Sequence, residues 1–518
     1  MKKRVLILGA GPMQAVAINA AHDRGWEVVA VDGNPNAPAR LLADLFEPID
    51  LKDRAGLASL AARLAAEGGL DGVFTAATDF SASVAHVAEA AGLPGHSLEA
   101  ALNASDKLRM RARFREAGVP SPRFVGVDAE SASRLAALME GEGIAFPIVV
   151  KPVDNMGARG CRRVDRATDA PAALADAIRY SRSGQAIVEE YMEGPEFSIE
   201  ALVFDGKVHL TGLADRHIFF PPYFVEMGHT MPTEFPAEDR AALVRVFEAG
   251  IRALGLTHGA AKGDVKLTPR GPMIGEIAGR LSGGYMSGWT FPYAYGIDLT
   301  GSALELAVGL RPRSLAPTHE WVSAERAWIS IPGIVSAVHG LERARALPWM
   351  RDVFPRVRPG DEVRFPENNV EKCGNCLSAA PVRSDAVRTA EEGARTVVVR
   401  LASHNPRTDA FLAEGPIGAT SFPPDAFEIP GLARGELGRA GLVAGPEGWL
   451  LPTPILAALD GPRDWQGRTI AESLAQAVSL EPGLGSRLRD PAFASAAAPA
   501  LIRGGIQGIL YLYDSGNP

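Results

Sequence analysis

The chain has 518 residues, enough for three or four domains with real cores. Its 61 acidic and 53 basic side chains leave a formal charge of −8, which argues against a general binder of nucleic acid or anionic membrane. Only three cysteines are present and no run of 18 apolar residues occurs, so a disulfide framework and a membrane span are both out and a cytoplasmic setting is expected.

The first hundred residues alternate strand and helix patterns. Met1 to Arg4 before an apolar run has the start of a secretory signal, but Gly9-Ala10-Gly11-Pro12 breaks the run at once. Val5 to Leu8 reads as a strand, followed by a glycine turn and a helix to His22. Glu27 to Val31 and Gly72 to Ala76 read as further parallel strands. Ser105 is expected to cap a helix ending at Gly118 before Pro120. From Ile148 to about Glu276 short alternating strands with Gly or Pro turns predict hairpins, interrupted by a helix near Ala172 to Tyr180. A Pro- and Arg-rich joint stands at Arg311 to Arg313. Residues 320–402 read as mixed α/β, with strands at Ala327 to Ile331 and Thr396 to Leu401. Beyond Asn405-Pro406 lies a Gly/Pro/Ala-rich tail ending in a strand-like Ile509-Leu510-Tyr511-Leu512.

Gly9 and Gly11 after a strand, with Asp32 some twenty residues on, make a partial dinucleotide fingerprint whose third glycine is replaced by Gln14. A plain strand-to-helix turn is the simpler account. Lys151 ends the strand Ile148-Val149-Val150 and precedes the loop Asn155 to Gly160. Backbone N–H groups of such a loop can close over phosphates while the lysine supplies a point charge. A flexible hairpin fits the same residues. Ile187-Val188-Glu189-Glu190-Tyr191-Met192 and Gly194-Pro195-Glu196 offer a strand end and carboxylates for an adenine edge and ribose, or an edge strand with solvated glutamates.

Asp264 and Glu276 carry the sharpest argument. A hairpin symmetric about Arg270 sets Asp264 opposite Glu276 and Lys266 opposite Ile274. Directly opposed carboxylates repel unless a cation lies between them, and oxygen-only ligands suit Mg²⁺. Arg280, four residues on, can aim a fork of donors at the same place. The lone Cys373-Gly374-Asn375-Cys376 lacks the second pair a structural zinc needs. Arginines 109, 111, 113 and 115 read as a solvated helix surface, Cys161 as a buried filler, and His258 as a structural residue at a strand start.

In this order the motifs resemble the ATP-grasp superfamily of carboxylate–amine ligases, over residues 1 to about 402. The resemblance rests on Asp106-Lys107, Val150-Lys151-Pro152 with Gly157 to Gly160, Glu189-Glu190-Tyr191 with Glu196, and Gly275-Glu276-Ile277-Ala278-Gly279-Arg280. It implies an α/β (α+β) ATP-grasp fold. A Rossmann-like domain at 1–104 would precede an ATP-grasp core at 105–312, with a nucleotide lid at about 120–200. A C-terminal subdomain at 313–404 and an appended domain at 405–518 would follow. It further implies Lys107, Lys151, Gly157 and Gly160 on the nucleotide phosphates; Glu189, the backbone near Met192, and Glu196 on adenine and ribose; Asp264 and Glu276 on Mg²⁺, with Mn²⁺ as the alternative; and Arg280 on an acyl-phosphate. Two departures stand out: Ala278 where the family often has Asn, and Asp264 where it usually has Glu.

Within the superfamily the chain looks most like the L-amino acid ligases, on Phe224-Val225-Glu226-Met227-Gly228-His229. By that resemblance Glu226 attracts a substrate ammonium, His229 orients or deprotonates the attacking amine, and Gly284 leaves a roomy side-chain pocket. The expected partners are a small carboxylate and an amine, with no nucleic acid and no membrane, and a homodimer is among the assemblies allowed. A carboxylase-like or glycinamide-ribonucleotide-synthetase-like enzyme is the alternative, and an NAD-dependent Rossmann protein a weaker one.

Overall fold

The computed structural model describes residues 2–418, 421–437 and 439–516, and these fall into two compact units. The first comprises 1–217, 229–323 and 379–383; the second comprises 218–228, 324–378 and 384–518.

The first unit opens with a parallel four-stranded sheet in the order Leu45–Glu47, Glu27–Val31, Arg4–Leu8, Gly72–Phe74. Its two central strands, Arg4–Leu8 and Glu27–Val31, are near-continuous aliphatic runs because both faces are covered by helices. Gln14 fills the space of the missing glycine: it is buried and its amide donates to the Ala76 carbonyl. The Asp32 carboxylate is occupied in bracing the turn, accepting from the Ala10 and Asn34 main-chain N–H groups at 2.9 Å.

An antiparallel four-stranded sheet follows, in the order Phe124–Val127, Ala186–Glu190, Ile148–Pro152, Arg162–Val164. Leu135–Gly141 and Ala170–Tyr180 pack their apolar stripes on it. The unit's largest sheet is built from Gly271–Ala278, Gly259–Thr268, Glu196–Phe204 and Lys207–Phe219 in that order, with Val225–Met231 next. Odd-numbered residues of Glu196–Phe204 (Phe197, Ile199, Ala201) bury against Ala237–Leu254. The even-numbered Glu196, Ser198 and Glu200 therefore share the other face, the period of two placing polar chemistry on one side only.

In the second unit, Val322–Trp328 lies beside Gly374–Ala380, which pairs antiparallel with Met350–Pro355. Gly333–His339 pairs with Val398–Leu401. The tail is helical. Ile509 to Leu512 is not a strand but helical: it lies in the second of two helical runs within Pro491–Asp514, which begins with Asp490 accepting from Ala492 N–H and breaks at Gly505, where φ is +58° and ψ −145°. Those runs, with Ile470–Leu480 and Pro482–Arg487, close a separate apolar core. Among the described residues no helix is long and apolar enough to cross a membrane.

Candidate active site

The charged face of the first unit is ordered in cross-strand rows. Arg216, Glu196 and Lys266 stand side by side, then Ser198, Asp264 and Glu276, then Gly212, Glu200, Lys262 and Ala278. Asp264 opposes Glu276 as the hairpin symmetry requires. The turn is nevertheless one residue tighter than expected, so Lys266 faces Met273 rather than Ile274. A bulge at Gly275 restores the register just before Glu276.

Neighbouring cations take up the charge of the two carboxylates. Asp264 receives Lys262, Arg216 at 2.9 Å and the Ser198 hydroxyl at 3.3 Å. Glu276 has Lys107 at 3.7 Å. Burial pushes the Glu276 carboxyl upward and Asp264 adds to this, but Lys107, Lys151 and Lys262 outweigh both and hold it below the usual carboxylate range. Two carboxylates on one row beside a hydroxyl form an all-oxygen donor set, and the surrounding lysines suit phosphate oxygens. The residues thus fit a hard divalent cation bound together with a polyphosphate.

Lys107 starts the helix Lys107–Glu116, and the cap is Asp106 rather than Ser105: its carboxylate accepts from Leu108 and Arg109 N–H at 2.8 and 3.0 Å. Lys107 also donates to the Asn155 carbonyl at 2.8 Å, tying the helix start to the glycine loop. In that loop Gly157 and Gly160 have φ of +70° and +68°. Lys151 meets Glu189 at 2.7 Å, and Glu189 is simultaneously held by Arg111 at 2.8 Å. Burial raises the Glu189 carboxyl, yet the two cations lower it on balance. Arg111 is fully buried, so this one of the four helix arginines is not a solvated surface residue.

Met192 offers its carbonyl to Lys266 at 3.1 Å, and Glu196 pairs with Arg216 and with Lys266 at 3.4 Å. Gly194 between them is obligatory: at φ +125°, a Cβ there would stand 2.0 Å from the Leu267 carbonyl oxygen. Arg280 donates to the Thr78 carbonyl at 2.6 Å and the Leu281 carbonyl at 2.8 Å. Cys161, beside the loop, has its thiol pushed up to about 11 by burial.

Arg111, Arg216, Lys262, Lys266 and Glu200 were missed as site residues. Four of them were legible as alternation: Lys262, Asp264 and Lys266 lie at i, i+2, i+4, as do Glu196, Ser198 and Glu200, with Arg216 on the adjoining strand. Glu200 is 1% exposed; one oxygen accepts from Ser282 N–H and the Ser287 hydroxyl at 2.7 and 2.5 Å. Burial raises its carboxyl, against those bonds and the fields of Lys262 and Arg280.

Residues 144–288 match the family model of the ATP-grasp domain. The chain carries an ATP-grasp domain. That domain contains Lys151, Glu189, Glu196, Asp264, Glu276 and Arg280, while Lys107 precedes its matched span. Residues 327–402 match a second family model, L-amino acid ligase C-terminal domain 2, leaving the tail beyond 402 outside both matches. An uncharacterized protein y4rH of Sinorhizobium fredii is 27% identical over 61% of this chain and 65% of its own length. Carnosine synthase 1 of Gallus gallus is 28% identical over 68% of this chain and 41% of its own length. The chain therefore spans less than two thirds of either relative. The crystal structure of L-amino acid ligase from Bacillus licheniformis superposes with a TM-score of 0.67 at 22% identity, covering 78% of this chain and 99% of that one. The ATP-grasp fold is common to both.

Glu226 and His229 stand three apart on the strand Val225–Met231, and the division between the units falls between Gly228 and His229. In the first unit His229 is buried, with Nε2 2.7 Å from the Thr290 hydroxyl. In the second, the Glu226 N–H donates to Asn369 Oδ1 at 2.8 Å and its carbonyl accepts from Lys372 at 2.7 Å. Cys373 and Cys376 are buried thiols pushed up to about 12 by burial.

Proposed function

We propose that this protein is an ADP-forming carbon–nitrogen ligase that joins two small substrates, a carboxylate (an amino acid) and an amine, through an acyl-phosphate. The observation that carries this is the row Ser198, Asp264, Glu276, with lysines 107 and 262 beside it. The ATP-grasp match and the second, L-amino acid ligase domain support it.

In the first step a substrate carboxylate oxygen attacks the γ-phosphorus of ATP and the bond to the ADP oxygen breaks. Lys107 and Lys151 would meet the phosphate oxygens, with Gly157 and Gly160 letting the loop backbone approach. Glu189, the Met192 carbonyl and Glu196 would receive adenine and ribose. Asp264 and Glu276 would hold Mg²⁺, or Mn²⁺, which when bound neutralises charge on the transferring phosphoryl group. Glu276 stays ionised for this task because three lysines oppose its burial. Arg280 would steady the acyl-phosphate. In the second step the amine attacks the activated carbonyl carbon and inorganic phosphate leaves. Glu226 would attract a substrate ammonium, and His229 would orient the amine and take its proton. Positioning and charge neutralisation carry such transfers, so no nucleophilic side chain is required.

A small-molecule enzyme of this kind would work in the cytoplasm, as a monomer or a homodimer. The test is an ADP- and phosphate-release screen against amino acids and amines, singly and in pairs, with products read by mass. Release that needs two substrates together and yields their condensation mass is expected. Release driven by bicarbonate or by a ribosylamine alone would overturn the proposal.

A further inference from the structure

The strand Lys207–Phe219 leaves the first unit at Ile218, and the chain stays in the second unit until Gly228. The eleven residues between carry Glu226. Phe220 adopts φ +66°, a left-handed backbone that is unfavourable for a bulky residue and persists only where the surroundings over-determine it. Those surroundings are aromatic. Phe220 meets Phe365 edge-on with centroids 5.0 Å apart, and Tyr223 meets Phe422 at 4.6 Å. Phe365 in turn packs on Phe422 at 5.5 Å and on Trp465 at 4.9 Å.

Glu226 itself has no slack. Its main chain is bonded on both sides, to Asn369 and to the buried Lys372. At Gly228 the strand runs so near the Glu325 carbonyl oxygen that a Cβ would stand 1.9 Å from it. Two of the rings that fix this segment come from the tail beyond residue 405. Trp465 is carried on a tight turn in which Asp464 accepts from Gln466 and Arg468 N–H at 2.9 Å. The Arg468 guanidinium anchors that turn to the Arg395 and Val397 carbonyls.

We propose that residues 405–518 form a specificity element, in which Phe422 and Trp465 are positioning residues that act through Tyr223 and Phe365 to set the place of Glu226 and hence the choice of amino-acid substrate. This rests on the role proposed above for Glu226. A ring lost from the cluster lets the 218–228 segment relax from its strained backbone, and displacement of a recognition group by about 1 Å can cost a hundredfold in binding or rate.

The experiment titrates phosphate release by the full chain with an equimolar mixture of the twenty standard amino acids at saturating ATP and Mg²⁺. ATP is then titrated at a fixed concentration of the mixture, and the condensation products are profiled by mass. Phe422→Ala and Trp465→Leu should raise the half-saturating amino-acid concentration roughly tenfold and alter the product profile. Their kcat and half-saturating ATP should stay within about twofold of the parent. Phe422→Tyr, which keeps the ring, should restore parental behaviour. Leu484→Ala, in the apolar core of the tail, should lower Tm comparably and leave the amino-acid titration unmoved.

An unchanged titration for Phe422→Ala, or a Leu484→Ala shift equal to it, would overturn the inference while leaving Glu226 in its role if Glu226→Gln still weakens amino-acid binding. Should Glu226→Gln also titrate like the parent, the role of Glu226 falls and the inference falls with it.

Discussion

Two regions of this molecule handle clustered charge in opposite ways. In the tail, Arg503 is 2% exposed and its guanidinium is held from several sides: Nε meets the Phe411 carbonyl at 3.1 Å. Nη1 meets the Pro423 and Pro424 carbonyls at 2.7 and 3.0 Å and Asp425 at 3.4 Å. Arg468 is held likewise by Gln476, Asp464 and main-chain carbonyls. On the sheet face of the ATP-grasp domain, by contrast, Glu276 reaches its lysine only at 3.7 Å and shares a row with a second carboxylate. An arginine held in this way is a structural clamp. A like-charged pair ringed by lysines is an arrangement that a cation and its phosphates would complete, and that difference marks a site better than the amount of buried charge does.

The contrast can be broken by substitution. Glu276→Gln should cut phosphate release by about a thousandfold while Tm moves by no more than about 2 °C, because the charge removed opposed its own neighbour Asp264. A large drop in Tm together with the lost activity would make Glu276 one more structural charge.

Arg503→Leu should do the reverse. It strips Asp425 of its cation, and denaturant titration should register a loss of about 3 kcal/mol with activity per folded molecule retained. Burial has already raised the Asp425 carboxyl to about 6, against the Gly418 N–H and Arg503, so protonation limits the cost.

A smaller effect concerns acid. His96 Nδ1 accepts from Thr257 and His258 N–H at 3.2 Å while Nε2 donates to the Ala260 carbonyl at 3.0 Å, a pattern only the neutral ring can satisfy. Burial, with a contribution from His258 and against the Ala260 bond, lowers its pKa from 6.5 to about 4. Between these values the unfolded chain binds the extra proton, so stability present above 6.5 is lost as pH falls toward 4. The loss is about 2 kcal/mol for a partly exposed ring. Thermal melts from pH 7.5 to 4.5 should show this slope for the parent and lose much of it in His96→Gln.

The smallest effect is expected at Cys373 and Cys376. With both thiols buried and raised to about 12, neither should react with iodoacetamide at pH 8 in the folded protein. Rapid labelling there would reopen a redox or metal role.

Much of the sheet face was legible in advance, since a hairpin constrains partners a dozen residues apart and Asp264 had to meet something near Glu276. The turn itself was not: Pro269-Arg270 is a two-residue connection, and the compensating bulge at Gly275 leaves no mark beyond one glycine in a strand. Arg111 escaped because its helix carries arginines at every second position, and only the fold supplies its partner Glu189 from 78 residues away. Ile509 to Leu512 is an apolar run too short for periodicity to tell strand from helix, and Asp490-Pro491 announces only the first of the two helical runs that Gly505 separates.

The bulge at Gly275 also governs how this hairpin can change length over evolutionary time. Deleting Gly275 would remove the extra residue and leave Glu276 opposite Asp264, and one residue added at the turn would loop out without moving the pairs. One residue inserted into the strand before Glu276 and not taken up as a further bulge would instead turn that carboxylate to the opposite face. A homologue whose spacing between the two carboxylates differs by a single residue should therefore keep the Asp264–Glu276 pairing when the difference falls at the turn or at the bulge.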